Sequence, residues 1–183
     1  MNLEEYRRWL SQNGNKEEAQ ADRVAEVVLN FHSPEHNDYN YSLHPRKVVH
    51  FDGGKLEFDL LVHLSWTGDN GHIYDRLIGV EFKETDMCKV VKQAVARRDL
   101  VDYMYIATRN VWLSERELMQ LFFYNIGWIV WFDDGFAKLV LPSLSGDARY
   151  KWILMNIVER EVKKVIDKLC RGEIASLKNW MEV

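Results

Sequence analysis

Apolar positions recur at helical spacing near the N-terminus and at strand spacing through the middle of the chain. Leu3 to Leu10 reads as a short helix. Asn15 starts a second one: Asn15 with Glu18 three residues on has capping-box spacing, with Asn in place of Ser or Thr. Ala21, Val24, Ala25, Val28 and Leu29 then supply an i, i+3, i+4, i+7 stripe, which Ser33-Pro34 ends. Val48 to Phe51 is a short strand, Asp52-Gly53-Gly54 a turn, Leu56 to Leu64 a strand, Gly68 to Gly71 a loop, and Ile73 to Lys83 the returning strand. Thr85 caps a helix through about Val101, with Asp86 in its first turn. Tyr103 to Thr108 is a strand. Ser114 and Glu117 form a capping box for a helix that ends near Gly127. Trp128 to Phe132 and Phe136 to Leu141 make a hairpin around Asp133-Asp134-Gly135, and a long amphipathic helix runs from about Asp147 to Arg171. The order α-α-β-β-β-α-β-α-β-β-α, a meander followed by a crossover helix and a further strand, implies a mixed central sheet with helices on its faces.

Composition sets the class. The chain has 183 residues, 47% apolar, with 7 Trp, 8 Tyr and 8 Phe, which excludes disorder. It is expected to be a single domain, residues 1–183, with its core at about 13–141 and the terminal helix at about 147–171. Cys88 and Cys170 form no CxxC, against a zinc ribbon or a disulfide framework. The first ten residues lack an apolar run, so no signal peptide is expected. The longest apolar stretch, Leu118 to Phe132, is shorter than the roughly 20 residues a bilayer needs. A cytoplasmic protein with no membrane contact is the expectation.

The candidate chemistry sits at the end of the third strand. In Val80-Glu81-Phe82-Lys83, the period of two puts Glu81 and Lys83 on one face. Antiparallel pairing symmetric about Asn70 sets Asp59 opposite Glu81, with Phe58, Leu60 and Val62 facing the other way beside Ile78, Val80 and Phe82. Directly opposed Cβ atoms lie about 4.5–5.5 Å apart. Two carboxylates that close raise each other's pKa unless a cation joins them, and Mg²⁺ takes such oxygen ligands. Lys83 can orient a water or offset phosphate charge. The competing reading is a cross-strand ion pair on a solvated sheet. His32 and His36 are separated by Pro34 and make a poor zinc pair. His63, on the Asp59 face, touches DNA or packs. No GxGxxG, Walker A or GxSxG motif occurs.

Asp59 on one strand, Glu81-Phe82-Lys83 on the next, then a helix and a strand, resemble the PD-(D/E)XK nuclease superfamily over roughly residues 13–141, in its restriction endonuclease-like and archaeal Holliday-junction resolvase-like branch. Phe58 stands where the motif has Pro. The resemblance implies an αβββαβ restriction endonuclease-like core, here with a C-terminal β-hairpin and the long terminal helix. It also implies a Mg²⁺-dependent DNA nuclease, with Mn²⁺ substituting, that hydrolyses phosphodiesters by in-line attack of water in DNA repair, recombination or restriction. By position, Asp59 and Glu81 hold the ion, the Phe82 carbonyl adds a ligand and Lys83 positions the water. Resolvase-like members carry a helix Glu shortly after a Gly that joins the site; Gly14 and Glu18 fit, though Glu18 also serves the Asn15 cap, and Glu17 is its neighbour. Several branches have a Gln or Lys facing the site from the crossover helix, which maps onto Gln93. Lys89 and Arg97 lie one turn from Gln93 on its face, with Arg98 on another, and Lys89, Lys92 and Arg97 are the expected DNA contacts. Residues 86–98 hold four basic residues against one acidic and 149–171 seven against three, inside a chain of net charge −4. Trp152, Ile153, Ile157, Val162, Val165, Ile166 and Leu169 form a stripe on the terminal helix that packs on its own sheet or on a twin copy, so a homodimer is expected. The alternative is a nuclease-fold nucleic-acid-binding module with little or no cleavage, or a partner-binding subunit.

Overall fold

Six strands form one mixed sheet whose spatial order follows the chain, β1 to β6, in a computed structural model that describes residues 1–34, 38–109 and 112–158. The elements are α1 (Leu3–Asn13), α2 (Ala21–His32), β1 (Tyr39–Phe51), β2 (Gly54–Thr67), β3 (Ile73–Lys83), α3 (Met87–Arg97), β4 (Tyr103–Thr108), α4 (Glu115–Phe123), β5 (Ile126–Trp131) and β6 (Ala137–Leu141). β1, β2 and β3 are an antiparallel meander, β3, β4 and β5 run parallel, and β6 turns back antiparallel. A final helix covers 151–158. None of the described helices is long and apolar enough to cross a membrane.

The sheet is covered on both faces, as its parallel part requires. On one side α1 and α2 lay Tyr6, Val24 and Val28 on Leu60, Val62, Val80, Phe82 and Tyr105. On the other, α3, α4 and the final helix set Val90, Leu121, Leu154 and Val158 against Leu77, Met104, Ile106 and Trp128. The stripe predicted for α2 is buried throughout.

The β2–β3 register is the one expected: Leu60 pairs with Val80 and Thr67 with Ile73, symmetric about Asn70. The Asp52-Gly53 turn has positive φ at both residues, as a two-residue hairpin loop demands. The strands around it are longer than periodicity suggests. β1 begins at Tyr39 rather than Val48, because it is the edge strand, where Pro45 costs no ladder bond.

Other local expectations change. Asn15 does cap through its side chain, with Glu18 returning the bond, but it starts a single 3₁₀ turn (Lys16–Glu18) and α2 begins only at Ala21. Asp86, not Thr85, is the N-cap of α3, accepting from the Lys89 N–H at 2.9 Å. That helix stops at Arg97, and Arg98–Leu100 forms a 3₁₀ turn. The Ser114–Glu117 capping box is present, but α4 ends at Phe123, with Asn125 taking the left-handed turn at φ 55°. Gly127 is a strand residue of β5. A Cβ there would lie 2.3 Å from the Tyr105 ring, which is why glycine occupies it.

The final helix buries Leu154 and Val158 in the core, and of the predicted stripe Ile153 and Ile157 are half-buried against that core while Trp152 is exposed. Val162, Val165, Ile166 and Leu169 lie outside the described residues.

Candidate active site

The carboxylates meet where the β2–β3 ladder ends. Leu60↔Val80 is its last paired position, and the β1–β2 ladder skips Arg46 and Asp59, where Arg46 has φ 48°. Asp59 therefore turns out of the alternation. Its Oδ2 accepts the Phe82 N–H at 2.8 Å, taking the place of a ladder bond. The side-chain alternation shifts at this point: Phe58 packs with Leu61 and Leu77 in the second core, not with Leu60 and Val62 as the strict period predicts.

Glu81 projects from β3 into a closed space. Its side chain has no solvent exposure, and neither carboxylate oxygen has a hydrogen-bond partner. Arg97 Nε lies 3.1 Å from Glu81 Oε1, close enough for an ion pair, but its N–H points to the Glu57 carbonyl at 2.8 Å. Burial, and then the negative charge of Asp59, pushes the Glu81 carboxyl well above its ordinary range, against the pull of Arg97. Burial raises Asp59 to about 6; the Phe82 N–H and Arg97 lower it, and Glu18 and Glu17 raise it further. Two acids with raised affinity for protons, one of them without a hydrogen bond to either buried oxygen, define the site.

Around this pair the remaining charges are already matched. Lys83 Nζ lies 2.5 Å from Glu17 Oε1, so the 3₁₀ turn brings to the end of β3 the carboxylate that the sequence set aside in favour of Glu18. Glu18 is buried and fully engaged: Oε2 accepts Arg46 Nη2 at 2.6 Å and the Asn15 N–H at 3.0 Å, and Oε1 accepts Arg46 Nε at 3.3 Å. Glu18 thus does serve the cap, and its charge still reaches Asp59. The Phe82 side chain is in the core. Tyr6 is buried with its hydroxyl unpartnered, and the charges of Glu18, Asp22 and Asp59 join burial in raising its pKa.

The crossover helix divides its polar residues. Lys89 and Lys92 are exposed and Gln93 is half-buried; together with Ala96 and one edge of Arg97 they line a shallow depression. Arg97 is otherwise buried, with Nη1 donating to the Gln93 carbonyl at 2.8 Å. The sequence placed it on the solvent face with Lys89. The correction follows from its position at the end of α3, where it reaches the unpaired carbonyls and the Glu81 charge. Arg98, on its separate face, is also buried, and it donates to the carbonyls of Tyr124, Val101 and Leu144. His63 is half-buried with Nε2 unpartnered. Arg46 and the inward role of Arg97 were missed. The signal for Arg46 was Pro45, which marks an irregular edge strand; helix periodicity alone gave none for Arg97.

Among the described residues, no three His, Cys, Asp or Glu side chains converge as a metal cage. The chain matches no protein-family model, and no curated protein or solved structure is significantly similar to it.

Proposed function

We propose that this protein is a metal-dependent DNA nuclease on a restriction endonuclease-like core. The observation that carries the reading is Glu81: a fully buried carboxylate beside Asp59, with no hydrogen bond to either oxygen and only Arg97 as a counter-charge. Buried acids of this kind are costly unless a proton or a cation satisfies them, and such groups cluster at functional sites. The donor set suits a hard divalent ion, since Mg²⁺ is commonly held by one or two carboxylates with waters and a phosphate completing its shell. Asp59 and Glu81 would hold the ion, with the Phe82 carbonyl as a further ligand; Glu18 could join only by releasing Arg46. Bound there, Mg²⁺ or Mn²⁺ would supply Lewis-acid charge for a phosphodiester.

The chain's own residues supply the rest. The Phe82 N–H fixes the Asp59 carboxylate. Lys83, steadied by Glu17, orients the attacking water and offsets phosphate charge. Lys89 and Lys92 bind the DNA backbone, with Gln93 beside them at the depression.

The test is incubation with linear, nicked, single-stranded and junction DNA in Mg²⁺, Mn²⁺ or EDTA. Cleavage is expected with the ions and not with EDTA, and Glu81→Gln or Asp59→Asn should lower it by about 10²-fold or more, the scale on which loss of a charge-stabilising group acts. Parental cleavage by a pure Glu81→Gln protein would remove the assignment. One observation favours a second reading, a nuclease-fold binding module with feeble cleavage: Arg97 already balances part of the Glu81 charge. That reading requires DNA binding that persists in EDTA, with feeble cleavage or none under any of these conditions.

A further inference from the structure

Arginine is always charged in proteins, so Arg97 is a permanent cation inside the molecule, its side chain only 8% exposed. A buried charge needs a partner, and Arg97 is set between two. Its neutral partners are the carbonyls of Glu57 and Gln93. Its charged partner is Glu81, whose carboxylate is otherwise approached only by the Asp59 backbone N–H, without a well-formed hydrogen bond. The other cations nearby are committed elsewhere, Lys83 to Glu17 and Arg46 to Glu18. Arg97 also borders the open depression lined by Asp86, Cys88, Lys89, Lys92, Gln93 and Ala96, in which the two lysines outnumber the one acid. The guanidinium thus lies against the buried carboxylates on one side and an outward-facing basic surface on the other.

We propose that Arg97 is the resident stand-in cation of this site: it and a divalent ion compete for Glu81, and ion binding turns the guanidinium outward toward the depression shared with Lys89 and Lys92. The inference rests on the metal reading above and adds its regulation. The physical reason is charge. Once the ion has displaced their protons, Asp59 and Glu81 together offer two negative charges, which a divalent ion neutralises alone; a guanidinium left in place would face that ion in a low-dielectric pocket, where like charges repel strongly. Outward, Arg97 keeps its planar donors available for a phosphate, so loading the ion and presenting a third basic group to DNA become one event.

Calorimetric titration of Mn²⁺ into the parent and into Arg97→Gln, with urea unfolding of both in EDTA and in Mn²⁺, tests this. Arg97→Gln should bind Mn²⁺ about tenfold more tightly, or bind it where the parent does not, the tenfold change corresponding to about 1.4 kcal/mol. It should also be less stable than the parent in EDTA, with the deficit closing in Mn²⁺. Equal or weaker affinity in a folded Arg97→Gln protein overturns the competition and leaves the nuclease reading standing. Absence of binding by both folded proteins overturns the metal reading, and this inference with it.

Should Arg97→Gln not fold, the ¹⁵Nε–H signal of Arg97, assigned by its loss in Arg97→Lys, is followed in the parent during Mg²⁺ titration. Loss of its protection from solvent exchange supports displacement. An unchanged signal at saturating Mg²⁺ overturns it, and an affinity for Mg²⁺ in the same titration separates that result from failure of the metal site.

Discussion

Asp59 titrates near 6 in the folded chain, against an ordinary 3.8, because burial disfavours its charge. The folded state therefore holds this proton more tightly than the unfolded chain does. The sign follows: Asp59 adds stability as pH falls through 6 toward 4, and it leaves a constant penalty above about 6. His32 works the other way. Its ring, buried against Tyr105 and lowered to about 4, costs stability as pH falls below 6.5. The informative measurement is thus a difference, the urea midpoint of Asp59→Asn minus that of the parent in EDTA. It is expected to be positive at pH 7.5 and to shrink at pH 5; a difference independent of pH would place the titration elsewhere. With Mn²⁺ present the parent should gain most at high pH, since protons compete for the same oxygens. Glu18 gives a second residue-scale test. Gln at this position keeps the cap bond to the Asn15 N–H but loses the charge opposite Arg46. Glu18→Gln should cost about 1.5–3 kcal/mol in urea unfolding, the range for a hydrogen bond to a charged group.

At the scale of elements, β4 and β5 approach closely at Gly127. The Tyr105 ring fills the space over Gly127, and its hydroxyl is fixed by His32 Nε2 at 2.8 Å and the Ser143 N–H at 3.3 Å, so it cannot move aside. Gly127→Ala is expected to cost about 2–3 kcal/mol through overpacking, read as a lowered urea midpoint with unchanged slope. Ser114→Ala, at the exposed start of α4, should cost only about 1 kcal/mol, the worth of an N-cap. The capping boxes at Asn15 and Ser114 and the β2–β3 register were legible because they depend on neighbours within a few residues or on a symmetric loop. The end of α4 was not: Gly127 read as a helix stop, yet its lack of a side chain serves Tyr105, a residue 22 positions away.

Across the whole molecule, positive charge is scarce, and its placement decides the path proposed for DNA. Lys89 and Lys92 stand exposed at the depression, while Arg97 and Arg98 are spent inside. Replacing Lys89 and Lys92 with Ala should weaken DNA binding for all sequences alike and flatten the salt slope by about one unit per lost contact. An unchanged slope would remove α3 from the DNA path. The proposed homodimer draws on the terminal helix, and the structure narrows that surface. Leu154 and Val158 are already used by the chain's own core, leaving Trp152 as the exposed apolar residue of 151–158. Light scattering should give twice the chain's 21.7 kDa; the single mass would remove the dimer.

The sequence by itself determined the order of elements, the mixed sheet and the opposition of Asp59 to the end of β3, because periodicity, caps and turn residues act locally and a short loop sets its strands' register. It also singled out Glu81 and Lys83, since a strand's period of two needs no distant information. Only the tertiary structure decided which charges neutralise which. That Arg97 turns inward to Glu81, that Arg46 closes over Glu18, and that Glu17 rather than Glu18 meets Lys83 depend on groups brought together from separate elements. Burial, not spacing, then raises the two carboxyls, and burial exists only once the sheet is covered on both faces.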